Sequence, residues 1–520
     1  MNALKTKSIS KNHISTLIKQ LKTGIFERNE AIAVALLAAL ADQNIFLLGP
    51  AGTAKSLVSR RLSCAFKQAD YFETLLHRFS TPEEIFGPIS IAALKDDRYL
   101  RKTDHFLPTA QFAFLDEIWR GSPAILNSLL TIINEKRFHN GTLNCNVPLK
   151  AVICASNDIP EHNESLAALY DRFLVRLSIM PLDEPDNFNQ LLQSHGATNK
   201  VEIADEWLIT TEQWDSWQAK IDLVQLSRQT LDIIHAIRVA LEQRSAELAV
   251  YVSDRRWQKA AKLLKAAAFF NGRDQTHDLD ALLLRHCLWT SHENQNEVMA
   301  IIEAAVITFS FTTTDQRQRI DKQIDLLKQK ITTSLFWSKD TYQTTTLDDG
   351  KSYFEYDLSA DSDDPPYPIF VAEEVVQSKQ KVHPLDEQGN RLVWLKCHFT
   401  SNMHCIIQGD GEYSPPETLL PIQQNKKGDK KTNMEMNLIP SLHRQIADLT
   451  KNIKNIMATV QLEIDDFNQR AQTPFIPISV SNGILNHIKS QQTELNNRIQ
   501  HCGQLTHLIE SDNCNIEMAL

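Results

Sequence analysis

The sequence predicts an α/β protein: a parallel sheet with helices on both faces, followed by an all-helical lid. Beyond the lid it predicts a triple-helical stalk that carries an inserted small β domain. Three observations lead there. Short apolar runs alternate with helical stretches up to about Met180, which is the pattern of strands each returning through a helix. From Pro181 to Ser310 the reading is mostly helical, with few turns and many Leu, Ala and Ile. A heptad-like apolar seam then appears, breaks off, and returns late in the chain.

The first strand is "NIFLLG", a buried apolar run, and "AKSLVSRRLSCAF" opens a helix directly after it. Between them lies "GPAGTAKS", close to the phosphate-loop form G-x-x-x-x-G-K-[ST], with Ala54 in place of the second required glycine. Strand, tight turn and helix form the context such a loop needs, because loop and helix N–H groups must converge on phosphate oxygens. Gly49, Gly52, Thr53, Ala54, Lys55 and Ser56 make up the candidate loop. Ala54 is expected to begin the helix with negative φ, where a methyl group costs little, whereas a Cβ at Gly52 is expected to clash.

Two further strands carry polar ends. "QFAFLDE" finishes in Asp116 and Glu117, and "KAVICASN" finishes in Asn157. A carboxylate at a strand end can hold the water shell of Mg²⁺, its neighbour can take a proton from water, and an amide alongside can orient that water. An apolar run ending in Asp-Glu is common by itself; about sixty residues after a phosphate loop it gains weight. Asn157 could equally cap a turn. Two arginine pairs follow, Arg172 with Arg176 and Arg255 with Arg256, as candidates to stabilise charge on a transferring phosphoryl group. Ion pairing with Asp171 and Asp254 would be the plain alternative.

The stalk seam reads Ile320, Ile324, Leu327 and Ile331, then Leu442, Ile446, Leu449, Ile453, Ile456 and Val460. After the break "TPFIPIS" it continues with Ile484, Ile488, Leu495 and Ile499. Between the arms of the seam, "KSYFEY", "PIFVAEEV", "RLVWLKCHF" and "HCIIQ" read as strands, with turns at "DDG", "EQGN" and "GDGEY" and a loose acidic loop at "SADSDDPP". The expected domains are therefore 1–180, 181–310, a discontinuous helical domain from 311–335 and 438–520, and the insert 336–437. Cys397, His398, His404 and Cys405 could be drawn as a zinc site, but neighbours on a strand face opposite ways, so they read as strand residues.

Composition narrows the class. A net charge of −10 over 520 residues argues against a general nucleic-acid binder. The longest apolar stretch, Ala31 to Ala41, is too short to span a membrane and fits a core helix. Eight cysteines without framework spacing point to a reducing, cytoplasmic compartment.

The run "LPTAQFAFLDEIWRGSPAILNSLLTIINEKRFHNG", together with "GPAGTAKS", strongly resembles the MoxR branch of AAA+ ATPases over roughly the first 310 residues. That family's loop usually has Ala before the Lys, so the resemblance implies a working site. It also implies ATP/ADP and Mg²⁺ as ligands: Lys55 on the β- and γ-phosphates, Ser56 on Mg²⁺, Asp116 on the Mg²⁺ hydration shell, Glu117 activating water and Asn157 as sensor 1. Arg172 would be the finger acting on a neighbouring subunit, with Arg176 in reserve. Arg255 would be sensor 2, although Asp254 stands where the family often has Pro, which leaves Arg256 open. Phe26 could pack on the adenine or simply be core. The resemblance further implies a homo-hexamer that remodels a protein partner and works with a von Willebrand factor A domain protein. Members with a β domain on a triple-helical stalk are associated with an inducible, acid-stress lysine decarboxylase. Rival readings are a nucleotide-gated scaffold with little hydrolysis and a nucleic-acid-remodelling motor.

Overall fold

The computed structural model describes residues 2–160, 164–194, 201–311, 314–342, 344–347, 350–358, 367–378, 381–399, 404–409, 417–419, 423–430 and 437–510. The chain forms two compact units, Met1–Thr314 with Ala458–Gln492, and Asp315–Met457 with Thr493–Leu520. The turn end of the late helical hairpin thus belongs to the first unit, whereas the sequence division placed all of 438–520 in the helical domain.

In the first unit, β1 (Ile45–Leu48), β2 (Tyr71–Leu75), β3 (Phe112–Asp116), β6 (Ala151–Ser156) and β7 (Val175–Ser178) form one sheet in the order β2-β3-β6-β1-β7. Every pairing in it is parallel. A hairpin of β4 (Arg137–Asn140) and β5 (Leu143–Asn146) stands apart. The central strands are buried along their whole length, as expected where helices flank a parallel sheet. Helix Asn29–Leu40 is buried from Ala31 to Leu40, so its apolar all-round surface is a core feature. The parallel register puts Leu48 opposite both Ser156 and Ser178, and Asp116 opposite Ala155. The residues following β1, β3, β6 and β7 therefore emerge along one edge.

Helices Thr211–Asp222, Arg228–Gln243, Asp254–Phe270 and His292–Ser310, with the 3-10 segment Asp278–His286, make the all-helical stretch in which the lid is expected. Ser and Thr caps start them: Thr210, Ser227, Ser253 and Ser291 each accept a backbone N–H of the first turn. Arg470, from the end of helix Leu438–Arg470, forms an ion pair with buried Asp278. Among the described residues no helix is long and apolar enough to cross a membrane.

In the second unit Ile320, Ile324, Leu327 and Ile331 are buried, as are Leu442, Ile446, Leu449, Ile453, Leu495 and Cys502. Arg498 clamps Asp321 through Nε at 2.6 Å and Nη2 at 2.9 Å, joining helix Ile478–Glu510 to helix Thr314–Leu335. Strand Ser352–Asp357 lies between Thr344–Thr346 and Pro368–Ala372, and Cys405–Gly409 lies between Leu395–Phe399 and Glu417–Leu419, all antiparallel. Tyr356, Ile369, Leu395, Cys397, Phe399 and Cys405 contribute to one small core. Phe336–Tyr342 pairs with Gln423–Lys430, which brings the two ends of the β-rich segment together. Two readings change: the "EEV" of "PIFVAEEV" is helical, and "RLVW" precedes its strand rather than belonging to it. Cys397 is buried and His398 is not, so they occupy opposite faces of Leu395–Phe399. "SADSDDPP" and most of "DDG" and "GDGEY" lie outside the described residues.

Candidate nucleotide site

The loop after β1 is shaped by contacts of its backbone. Gly49 N–H donates to Ser156 O at 3.2 Å, and Ile179 N–H to Leu48 O at 2.7 Å. A Cβ at Gly49 would lie 2.1 Å from Ile179 O, so only glycine fits there. Two expectations about the loop are corrected. Ala54 has φ +69° and ψ +28°, and Lys55 is the first helical residue, because the chain must turn through the left-handed region before the helix can begin. Gly52 has open space around its would-be Cβ; its φ of +82°, rather than a clash, is what favours glycine. A left-handed alanine is strained by about 1 kcal/mol.

Lys55 is buried and its ammonium spends its donors inside the site: on Gly49 O at 2.6 Å, Pro50 O at 2.9 Å and Asn157 Oδ1 at 2.9 Å. Burial lowers its pKa, opposed by the charges of Asp116 and Glu117. The Nδ2 of Asn157 donates to Glu117 Oε1 at 3.1 Å. Asn157 therefore bridges the loop cation and the carboxylate, its two amide atoms each committed. The other oxygen of Glu117 pairs with Arg120 Nε at 3.3 Å. Glu117 itself is left-handed, with φ +51°, and its N–H donates to Asp116 Oδ1 at 3.1 Å. Ser56 is half-buried in the first turn of helix Lys55–Ser63, and Thr53 Oγ1 donates to Pro50 O at 2.9 Å.

These residues fit a nucleoside triphosphate with Mg²⁺. Left-handed Gly52 and Ala54 bend the loop ahead of a helix N-terminus, Gly49 leaves no side chain in the way, and a lysine stands beside two carboxylates. Ser56 and Asp116 supply the hard oxygen atoms that Mg²⁺ prefers.

The arginines separate. Arg176 is 1% exposed; it donates to Trp289 O and Tyr170 O and lies over the Tyr170 ring, 3.6 Å from its centroid. Burial drives its pKa well below the usual arginine value, and neighbouring Arg256 adds to that. Arg256 is also buried, held by Cys287 O and by Asp171 at 3.6 Å. Arg172 and Arg255 remain partly exposed. Arg172 sits between helix Glu164–Tyr170 and β7, and its buried Nε has no hydrogen-bond partner among the described residues. Arg255 Nη2 reaches Asn134 Oδ1 at 2.6 Å, joining a lid helix to helix Pro123–Glu135. Neither hydrogen-bonds to the loop residues among the described contacts.

Phe26 is half-buried in the turn before helix Asn29–Leu40. Its neighbours Glu27 and Arg28 were not singled out in the sequence, yet Arg28 touches the loop and Glu27 holds the segment that follows β7. Arg28 Nε donates to Thr53 O at 3.3 Å. Glu27 accepts from Asp183 N at 2.9 Å, Glu184 N at 3.0 Å and Asn187 Nδ2 at 3.0 Å, capping helix Pro185–Gln193. Those hydrogen bonds, the one from Asp183 foremost, lower its pKa. A lone charged pair in a turn has no periodicity by which to be noticed.

Comparison with known proteins agrees with this geometry. Residues 12–219 match the model of the MoxR domain of MoxR-vWA-beta-propeller ternary systems, and residues 229–302 match an AAA lid domain. The chain is 36% identical over 312 residues to uncharacterized protein MJ0812 of Methanocaldococcus jannaschii, covering 60% of this chain and 80% of that protein. It is 36% identical over 305 residues to protein MJ0079 of the same organism, covering 58% and 76%. Structural protein ORF618 of Acidianus two-tailed virus is 31% identical over 182 residues, 34% of this chain and 29% of its own length. With a parallel sheet, a phosphate loop at its edge and a helical lid behind it, the chain belongs to the MoxR family of AAA+ ATPases.

Proposed function

We propose that the protein hydrolyses ATP with Mg²⁺ at the loop of Lys55, as a hexameric ring, and uses the cycle to remodel or assemble a protein partner. The observation that carries this reading is the bridge from Lys55 through Asn157 to Glu117. An anionic phosphate oxygen is a better acceptor for an ammonium than a carbonyl or an amide. Binding would draw Lys55 off Asn157 and free that amide to orient a water, while Glu117 takes the proton. Mg²⁺, held through Ser56 and Asp116, would neutralise charge on the phosphates. Arg172 would reach the site of the next subunit, since it is partly exposed and makes no hydrogen bond to the loop among the described contacts. Arg255 would report on the nucleotide from the lid. Phe26 would sit at the base-binding rim.

A finger acting in trans requires a head-to-tail interface, and repetition of that contact closes a ring. The description of the matched family model includes a vWA component, which supports a von Willebrand factor A domain protein as partner. The helical bundle with its β-rich segment, 336–437, is read as a docking module of the RavA (regulatory ATPase variant A) type, with an inducible lysine decarboxylase as a partner and a cytoplasmic setting. Steady-state phosphate release tests the core of the reading. Wild type should turn over ATP, and Glu117→Gln should bind ATP but lose about 10²-fold or more in kcat. Equal turnover by the two would remove Glu117 as the base.

A further inference from the structure

The loop's entry and exit are both registered on the two residues that follow β7. At the entry, Gly49 lies so close to Ile179 O that no Cβ could intervene. At the exit, buried Arg28 spans from Thr53 O, through Nε at 3.3 Å, to Met180 O through Nη2. Its third nitrogen, Nη1, donates to Glu27 O at 3.0 Å. The guanidinium therefore joins the loop, the exit of β7 and its own turn using carbonyl acceptors alone. Burial lowers its pKa, with Glu27 opposing. A buried cation that takes no carboxylate hydrogen bond is costly to keep unless its donors are needed where they are.

We infer that Arg28 is a positioning residue for the phosphate loop, fixing the direction of the Thr53–Ala54 peptide and so the aim of the Ala54 N–H. In a trans peptide the C=O and N–H point opposite ways. Drawing Thr53 O outward to Arg28 turns the next N–H toward the concave side of the loop, where phosphate oxygens would lie. The same pull holds Ala54 in its left-handed conformation, which an alanine does not adopt without support. Lysine would be a poor replacement, because its single nitrogen sits on a shorter, flexible stem, whereas the rigid fork of the guanidinium sets Nε on Thr53 O and Nη2 on Met180 O at the same time.

This rests on the nucleotide reading above, and the test keeps the two apart. Arg28→Lys retains the charge and most of the stem, and should melt near wild type without nucleotide. Its affinity for a fluorescent ADP analogue should fall about tenfold or more, and KM for ATP should rise in step, while kcat at saturating ATP stays within about threefold of wild type. Arg28→Ala should show the same loss of affinity, partly restored by millimolar guanidinium that leaves its melting temperature unchanged. Arg28→Lys binding the analogue as tightly as wild type would overturn the inference. So would an Arg28→Lys chain that no longer folds, since Arg28 would then serve the fold before the loop. Failure of wild type itself to bind the analogue would instead overturn the nucleotide reading, and this inference with it.

Discussion

Lys55 and Arg176 are both cations inside the first unit, and they are held in opposite ways. Lys55 has Asp116 and Glu117 near enough to favour its charge, and its hydrogen bonds go to a loop and to the side-chain amide of Asn157. Arg176 is walled in by Tyr170 and Trp289, and like-charged Arg256 weighs on it more than the opposing charge of Asp171. The acceptors of Lys55 are two carbonyls of its own loop and the side-chain amide of Asn157, beside two strand-end carboxylates. The acceptors of Arg176 are backbone carbonyls at the junction of β7 and the lid, and nothing can replace its guanidinium there. On the proposed function one cation would act on the nucleotide, while the other is enclosed where β7 meets the segment Asp278–His286. The same division separates partly exposed Arg172 from Arg176, and Arg255 from Arg256.

The largest expected effect lies on the open arginine. Arg172→Ala should bind ATP normally and lose about 10³- to 10⁵-fold in kcat, the usual worth of a finger. Mixing it with Lys55→Ala subunits, which keep an intact finger, should restore part of the activity. Confirmed mixed rings with no recovery would place Arg172 among the structural arginines and break the comparison. Arg176→Ala should instead cost stability, about 3 kcal/mol or more, through a cavity and the loss of the hydrogen bond to buried Trp289 O, while Tyr170 O keeps the N–H of Phe173. A melting curve checks it, with kcat per folded subunit expected to hold. The smallest effect sharpens the loop itself. Ala54→Gly should raise stability by about 0.5–1 kcal/mol, because glycine accepts the left-handed conformation at Ala54. A denaturant midpoint unchanged or lowered would mean that the strain at Ala54 is absent.

Much of the site was legible because its parts sit at strand ends. "NIFLLG", "QFAFLDE" and "KAVICASN" each show a buried run closing on a polar residue, and parallel pairing brings those ends to one edge. β2 and β7 were not legible as strands: "YFETL" and "VRLS" are short and carry polar residues within them. The left-handed turn at Ala54 was missed because a glycine-to-alanine change suggests an undemanding position, whereas the helix begins one residue later. The burial of Arg176 and Arg256 could not be read, since nothing in "FLVRL" or "SDRRW" announces the remote carbonyls of Trp289 and Cys287 that hold the two guanidinium groups. Arg28 escaped for the same reason: its partners at Thr53 and Met180 are far away in sequence.

Lys55, the loop cation, is the residue on which nucleotide binding should depend most directly. Calorimetric titration of ATP with Mg²⁺ into wild type and Lys55→Ala, beside melting curves without nucleotide, tests it in one comparison. Removing the charge-assisted contact to phosphate should abolish measurable binding in Lys55→Ala while its melting temperature stays close to that of wild type. An ATP affinity in Lys55→Ala near that of the wild type would contradict the assignment of the nucleotide site.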